Sequence, residues 1–147
     1  MFLKSSLFFV LFIVGVYGYH DCSDKPGNVE FLSVKIDDCD VNKGRCVVKR
    51  GTDIKVAITF TAKADFNKVN VEPYFLKGDE RKYITLDNYN ACSNSGIACP
   101  IKENETYTYQ TLVSIYKMIG NKDIKWVFQD ENKNGLFCVM VLLESVD

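Results

Sequence analysis

Asp130-Glu131-Asn132-Lys133-Asn134-Gly135 places carboxylate and amide oxygens at alternate positions ahead of a glycine, the way an EF-hand calcium loop begins. Calcium held in that manner needs oxygen ligands converging from one loop and a bidentate glutamate at its twelfth position. The twelfth position here is Val141, and the ninth is Cys138. Both flanks, Trp126-Val127-Phe128 and Leu136-Phe137-Cys138, read as strand ends where an EF-hand requires helices. The segment is therefore expected to be the turn of a β-hairpin, with no metal.

Other chemistry finds little support. His20 is the only histidine, so neither a Ser-His-Asp nor a Cys-His arrangement can be assembled. It lies beside the expected mature N-terminus, where a disordered polar residue is the simplest reading. Asp37, Asp38 and Asp40 surround Cys39, as residues of a solvated turn do. No Cys-x-x-Cys pair exists, which argues against zinc. The expectation is a protein that is not an enzyme and has no cofactor.

The six cysteines, Cys22, Cys39, Cys46, Cys92, Cys99 and Cys138, carry more information. An even number in a secreted chain implies disulfides, although six cysteines allow roughly 15 connectivities. Spacing narrows these, because Cys39 and Cys46 face each other across a short loop containing Gly44, and Cys92 and Cys99 across one containing Gly96. Cys22 and Cys138 remain, and would tie the first strand to the last.

The elements that must carry these residues read as strands. In Asp53–Ala62, Ile54, Val56, Ile58 and Phe60 alternate with Lys55, Ala57, Thr59 and Thr61, the period of a half-buried strand rich in β-branched residues. Similar runs occupy Val29–Ile36, 69–76, 106–116, 124–128 and 137–143, with shorter ones at 46–50 and 82–86. Turn signals rich in Gly, Asn, Asp and Lys separate them, and no helical period extends over ten residues. About eight short strands at this spacing predict an all-β sandwich or barrel. Bulky inward aromatics in it could form a packed core or hold two sheets apart around a ligand.

The first residues read differently. Lys4 precedes an unbroken apolar run over 7–16, shorter than the span of a bilayer and the length of a signal-peptide core. Residues 1–18 are expected to be a signal peptide and 19–147 one secreted domain. With 18 Lys and Arg against 19 Asp and Glu, and no basic cluster, nucleic acid is not an expected partner. Asn104-Glu105-Thr106 is a glycosylation sequon, which would put Asn104 at the surface.

Three longer stretches share their local words with one family. They are Asn90 to Tyr109, in which a cysteine loop leads to Cys99-Pro100-Ile101 and a Tyr-x-Tyr strand, Trp126 to Cys138, and Lys49 to Ala62. Together with the order of all six cysteines, they resemble the ML family, the MD-2-related lipid-recognition domains. The likeness is nearest to the Niemann-Pick type C2 proteins and arthropod relatives that include the group 2 mite allergens. It implies an immunoglobulin-like β-sandwich of two antiparallel sheets with an internal apolar cavity, and disulfides Cys22–Cys138, Cys39–Cys46 and Cys92–Cys99.

The resemblance further implies a secreted or lysosomal carrier of a sterol, fatty acid or similar lipid, monomeric and in transient contact with a membrane surface. Carried over by spacing, the tunnel mouth falls at Ile84, Ile115, and Met118 or Ile119, with Pro100 and Ile101 near it. Ile58, Phe60, Trp126 and Phe128 would line the interior. Ile84 stands where the sterol carriers have an aromatic, and the turn after Tyr116 is about two residues shorter than theirs. The alternative from another class is an extracellular interaction or immune-recognition module. Met140 and Leu142, expected to face outward from the last strand as an apolar patch, motivate it.

Overall fold

The computed structural model describes residues 17–24, 27–116 and 120–147. Nine strands follow one another there: β1 (Tyr19–Asp21), β2 (Val29–Ile36), β3 (Cys46–Lys49), β4 (Asp53–Ala62), β5 (Asn70–Lys77), β6 (Glu80–Tyr83), β7 (Thr106–Ser114), β8 (Gly120–Gln129) and β9 (Gly135–Val146). One turn of 3-10 helix, Val41–Lys43, separates β2 from β3. Asp40 caps it, its carboxylate accepting from the Asn42 amide at 3.0 Å.

The strands form two sheets. The larger runs β1-β9-β8-β5-β6, with β3 added to β9, and the smaller runs β2-β4-β7. Every pairing is antiparallel except β3 with β9. β1 and β3 share one edge of β9, β1 on residues 139–141 and β3 on residues 143–146. Cys22–Cys138 fastens the chain after β1 to β9, Cys39–Cys46 closes the 3-10 turn, and Cys92–Cys99 closes the loop before β7. The expected sandwich and all three expected disulfides are present.

Alternation decides which residues meet. Ile54, Val56, Ile58, Phe60 and Ala62 of β4 are buried, while their neighbours are exposed or half-buried. They face Ile124, Trp126 and Phe128 of β8, and Phe137, Val139, Val141 and Leu143 of β9, all buried. Packing these apolar faces is the main source of stability in such a fold. Ile58, Ile101, Val113, Ile115, Ile124, Phe128 and Val139 retain no accessible surface. Side chains therefore fill the centre, leaving no water-sized void beside these residues.

Several boundaries differ from the expected ones. β6 is Glu80–Tyr83 instead of 82–86, because after Ile84, whose amide still donates to Pro73 O, the chain leaves the sheet, with Ile84 and Leu86 buried against the core. β8 and β9 extend past their apolar runs. Gly120, Asn121 and Asp123 break the alternation, yet continue the ladder opposite Ser145, Glu144 and Leu142. β1 was too short to be legible, and it holds His20 in register with Met140, where a disordered residue was expected. Gly18 belongs to the same edge: its amide donates to Val41 O and its carbonyl accepts from Leu142 N. Met140 and Leu142 are half-buried there, so the expected apolar patch is not presented.

Candidate functional site

The register divides the interior into two halves. At the hairpin end, Phe60 pairs with Tyr107 and Phe128 with Phe137. Phe128 and Phe137 stack at 4.3 Å with rings 6° apart, and Phe60 lies 4.9 Å from Phe137. Tyr109 meets Phe128 edge-on at 5.2 Å and leans on Trp126 at 6.3 Å. These are the separations at which aromatic quadrupoles attract. The result is a rigid aromatic floor.

The turn beyond that floor is Asp130 to Asn134. Asp130 Oδ1 accepts from the amides of Asn132 and Asn134, both at 2.9 Å, and Oδ2 accepts from Asn134 Nδ2 at 3.3 Å. These bonds, that from the Asn134 amide foremost, hold its carboxyl below the ordinary carboxylate value. Strands β8 and β9 flank the turn, and its carboxylate is engaged by the turn's own donors. This is a hairpin, as expected, with no EF-hand frame.

The other half is aliphatic. Ile54 pairs with Val113, Ile124 with Val141, and Lys122 with Leu143. This half ends at a cleft of about 480 Å³ bounded by Phe75, Lys82, Tyr83, Ile84, Ser114 and Tyr116. Tyr83 and Tyr116 are more than half exposed on its rim. Lys122, on the inward face of β8, lies 5.2 Å over the Phe75 ring, and Lys82 is ion-paired with Glu80 at 2.8 Å.

Ile84 lies in this cleft, together with the two neighbours of Ile115; Ile115 itself is fully buried behind them. Ile58, Phe60, Trp126 and Phe128 lie in the packed interior, Phe60 and Phe128 in the floor. Met118 and Ile119 lie outside the described residues. Pro100 and Ile101 do not line this cleft. Ile101 bridges to Phe66, with mutual backbone hydrogen bonds of 2.7 and 3.0 Å, ahead of the first residue of β7. Ile115 follows the last residue of β7, so the length of that strand, about 30 Å at roughly 3.3 Å per residue, separates the two ends. Adjacency to the same strand in sequence thus concealed two opposite ends. Asn104 is exposed beside Ile101, its amide donating to Ala62 O.

Sequence reading missed Lys122 and Tyr109. Lys122 continues the inward spacing of Ile124 and Trp126, but a charged residue ended the expected strand. Tyr109 is 1% exposed, and its hydroxyl has no hydrogen-bond partner among the described residues. Burial pushes its pKa up to about 12, against a smaller opposing influence from Thr111. That influence is hydrogen-bonding in kind, from the Thr111 side chain, but it falls short of the geometry of a formed bond.

Two sheets packed face to face around an apolar interior, in a chain with three disulfides, define a disulfide-bonded, immunoglobulin-like class of β-sandwich. The ML domain family model matches residues 17–144, and the chain belongs to that family. It is 28% identical over 130 residues to the NPC intracellular cholesterol transporter 2 homolog a of Drosophila melanogaster, covering 86% of each chain. It is 25% identical over 125 residues to the ecdysteroid-regulated 16 kDa protein of Manduca sexta, covering 84% of each. Among solved structures, a Niemann-Pick type C2 protein from the Japanese carpenter ant superposes with a TM-score of 0.76 at 23% identity. That match covers 87% of this chain and 98% of the ant protein.

Proposed function

We propose that this protein is a secreted carrier that takes a sterol, fatty acid or similar lipid between its two sheets. The observation that carries the reading is the interior itself. An aromatic floor backs an aliphatic half, and that half meets the surface at one cleft holding Ile84, with Ile115 directly behind it. Burying a lipid there contributes roughly 25 cal/mol per Å² of apolar surface. Because the centre is filled in this structure, the ligand enters by parting side chains at the cleft while the floor keeps its packing. Family membership and the similarity to a fly protein named as a cholesterol transporter support the same reading.

Residues 1–18 serve as the signal peptide in this proposal. Asn104 is accessible to a glycosyltransferase, and no residue acts as a catalyst. The interaction-module alternative loses its motivation, since Met140 and Leu142 are half-buried. Native mass spectrometry of the secreted protein, before and after delipidation and reloading with cholesterol or palmitic acid, tests the carrier. Bound lipid that is extracted and restored is expected. Protein that stays empty against both lipids would overturn the proposal.

A further inference from the structure

Tyr109 poses a chemical question that lipid carriage alone does not answer. Phenylalanine would fill the same space against Trp126 and Phe128 without the hydroxyl. A buried hydroxyl left unbonded costs roughly 1–3 kcal/mol. The phenol sits on the inward face of β7, opposite Ile58, and is 1% exposed with no partner among the described residues. Thr111, two residues on and opposite Val56, adds a second hydroxyl on the same face. The inward residues of β4 opposite them are all aliphatic or aromatic. Two buried hydroxyls lack a partner among the described residues, those of Tyr109 and of Ser145 near the end of β9, and the Tyr109 hydroxyl is the one placed where the aliphatic half meets the aromatic floor. It lies about 20 Å along β7 from Ile115, at roughly 3.3 Å per residue.

Resting on the carrier reading, we infer that Tyr109 is a polar anchor inside the binding interior, selecting lipids that carry an oxygen at the end entering first. The relevant class comprises side-chain-hydroxylated sterols and fatty acids hydroxylated at the chain end. A head group held at the cleft is too far away to reach the phenol. A hydroxyl on the leading end of a lipid meets the converse problem: in a wholly apolar tunnel it would be desolvated without compensation. Each group supplies what the other lacks, the phenol donating to the lipid oxygen. A purely hydrophobic pocket discriminates weakly on an added hydroxyl, whereas a pocket with a buried polar group disfavours the analogue that leaves that group unpaired.

The test compares two pairs of lipids on delipidated, secreted protein: cholesterol with its side-chain-hydroxylated analogue, and palmitic acid with its terminally hydroxylated analogue. Dissociation constants are measured by displacement of a fluorescent lipid from wild type, Tyr109→Phe and Thr111→Val. Wild type is expected to prefer the hydroxylated member of at least one pair about 10-fold, equivalent to about 1.4 kcal/mol. Tyr109→Phe should bring that ratio close to one, with a delipidated melting temperature no lower than wild type. Thr111→Val should keep a preference, which separates the phenol from general disturbance of β7. Equal affinity for both members of each pair in wild type, or an undiminished preference in Tyr109→Phe, would overturn the anchor and leave the carrier standing. Failure of wild type to take up any of the four lipids would overturn both.

Discussion

The two ends of the sandwich solve opposite problems with the same fold. At the hairpin end, six aromatic rings interlock: Phe60, Tyr107, Tyr109, Trp126, Phe128 and Phe137. The turn beyond them is bound to its own side chain at Asp130. At the cleft end, the inward residues are mostly Ile, Val and Leu, with Phe75 beneath Lys122, and the rim is two exposed tyrosines. Aromatic rings in fixed contact resist displacement, because moving one breaks several close contacts at once. Aliphatic side chains repack with less loss, so in the proposed carrier the half that opens is the mainly aliphatic one. Stability is therefore concentrated at one end and access at the other.

If that division is correct, Phe128→Ala gives the largest effect. Truncating a fully buried ring that touches three others is expected to cost about 3–5 kcal/mol. Urea denaturation of delipidated protein measures it, and a loss under about 1 kcal/mol would mean that the floor is not the stable end. Ile115→Trp comes next. Ile115 has no accessible surface, so the larger ring is expected to overpack and cost about 1–3 kcal/mol while blocking lipid uptake. Normal uptake by this variant would remove Ile115 from the entrance and break the comparison from the other side.

The smallest effect belongs to the hairpin turn. Asp130 is half-buried and its carboxyl is held below the ordinary value, chiefly by the Asn134 amide. A depressed folded-state value means that its stabilisation is present above the unfolded carboxylate value and fades as pH falls through the folded one. Asp130→Ala should lower the melting temperature slightly at neutral pH, with the difference vanishing in strong acid. A gap that persists in acid would show that the side chain acts through its shape alone and not through its charge.

Much of this architecture can be read directly from residue order. Period-two alternation in Asp53–Ala62 set its buried face, since a strand exposes alternate residues to opposite sides whatever it packs against. Strand ends were less legible. Asn121, Lys122 and Asp123 lack an apolar rhythm and are strand only because β9 continues opposite them. β1, three residues long, exists because β9 offers a free edge.

The candidate site divides in the same way. Residue order alone determined the class of fold, the three disulfides, the apolar interior and the hairpin at Asp130, because each depends on local period, spacing or a turn's own donors. Which residues share an end was decided only when the sheets stacked. Stacking brought Ile84 to the neighbours of Ile115, more than 25 positions away, and left Pro100 and Ile101 at the opposite end of β7. It also buried the Tyr109 hydroxyl without a hydrogen-bond partner among the described residues. A hydroxyl in a strand pattern looks the same whether or not it finds a partner, because its partner, or the lack of one, lies across the sandwich and not along the chain.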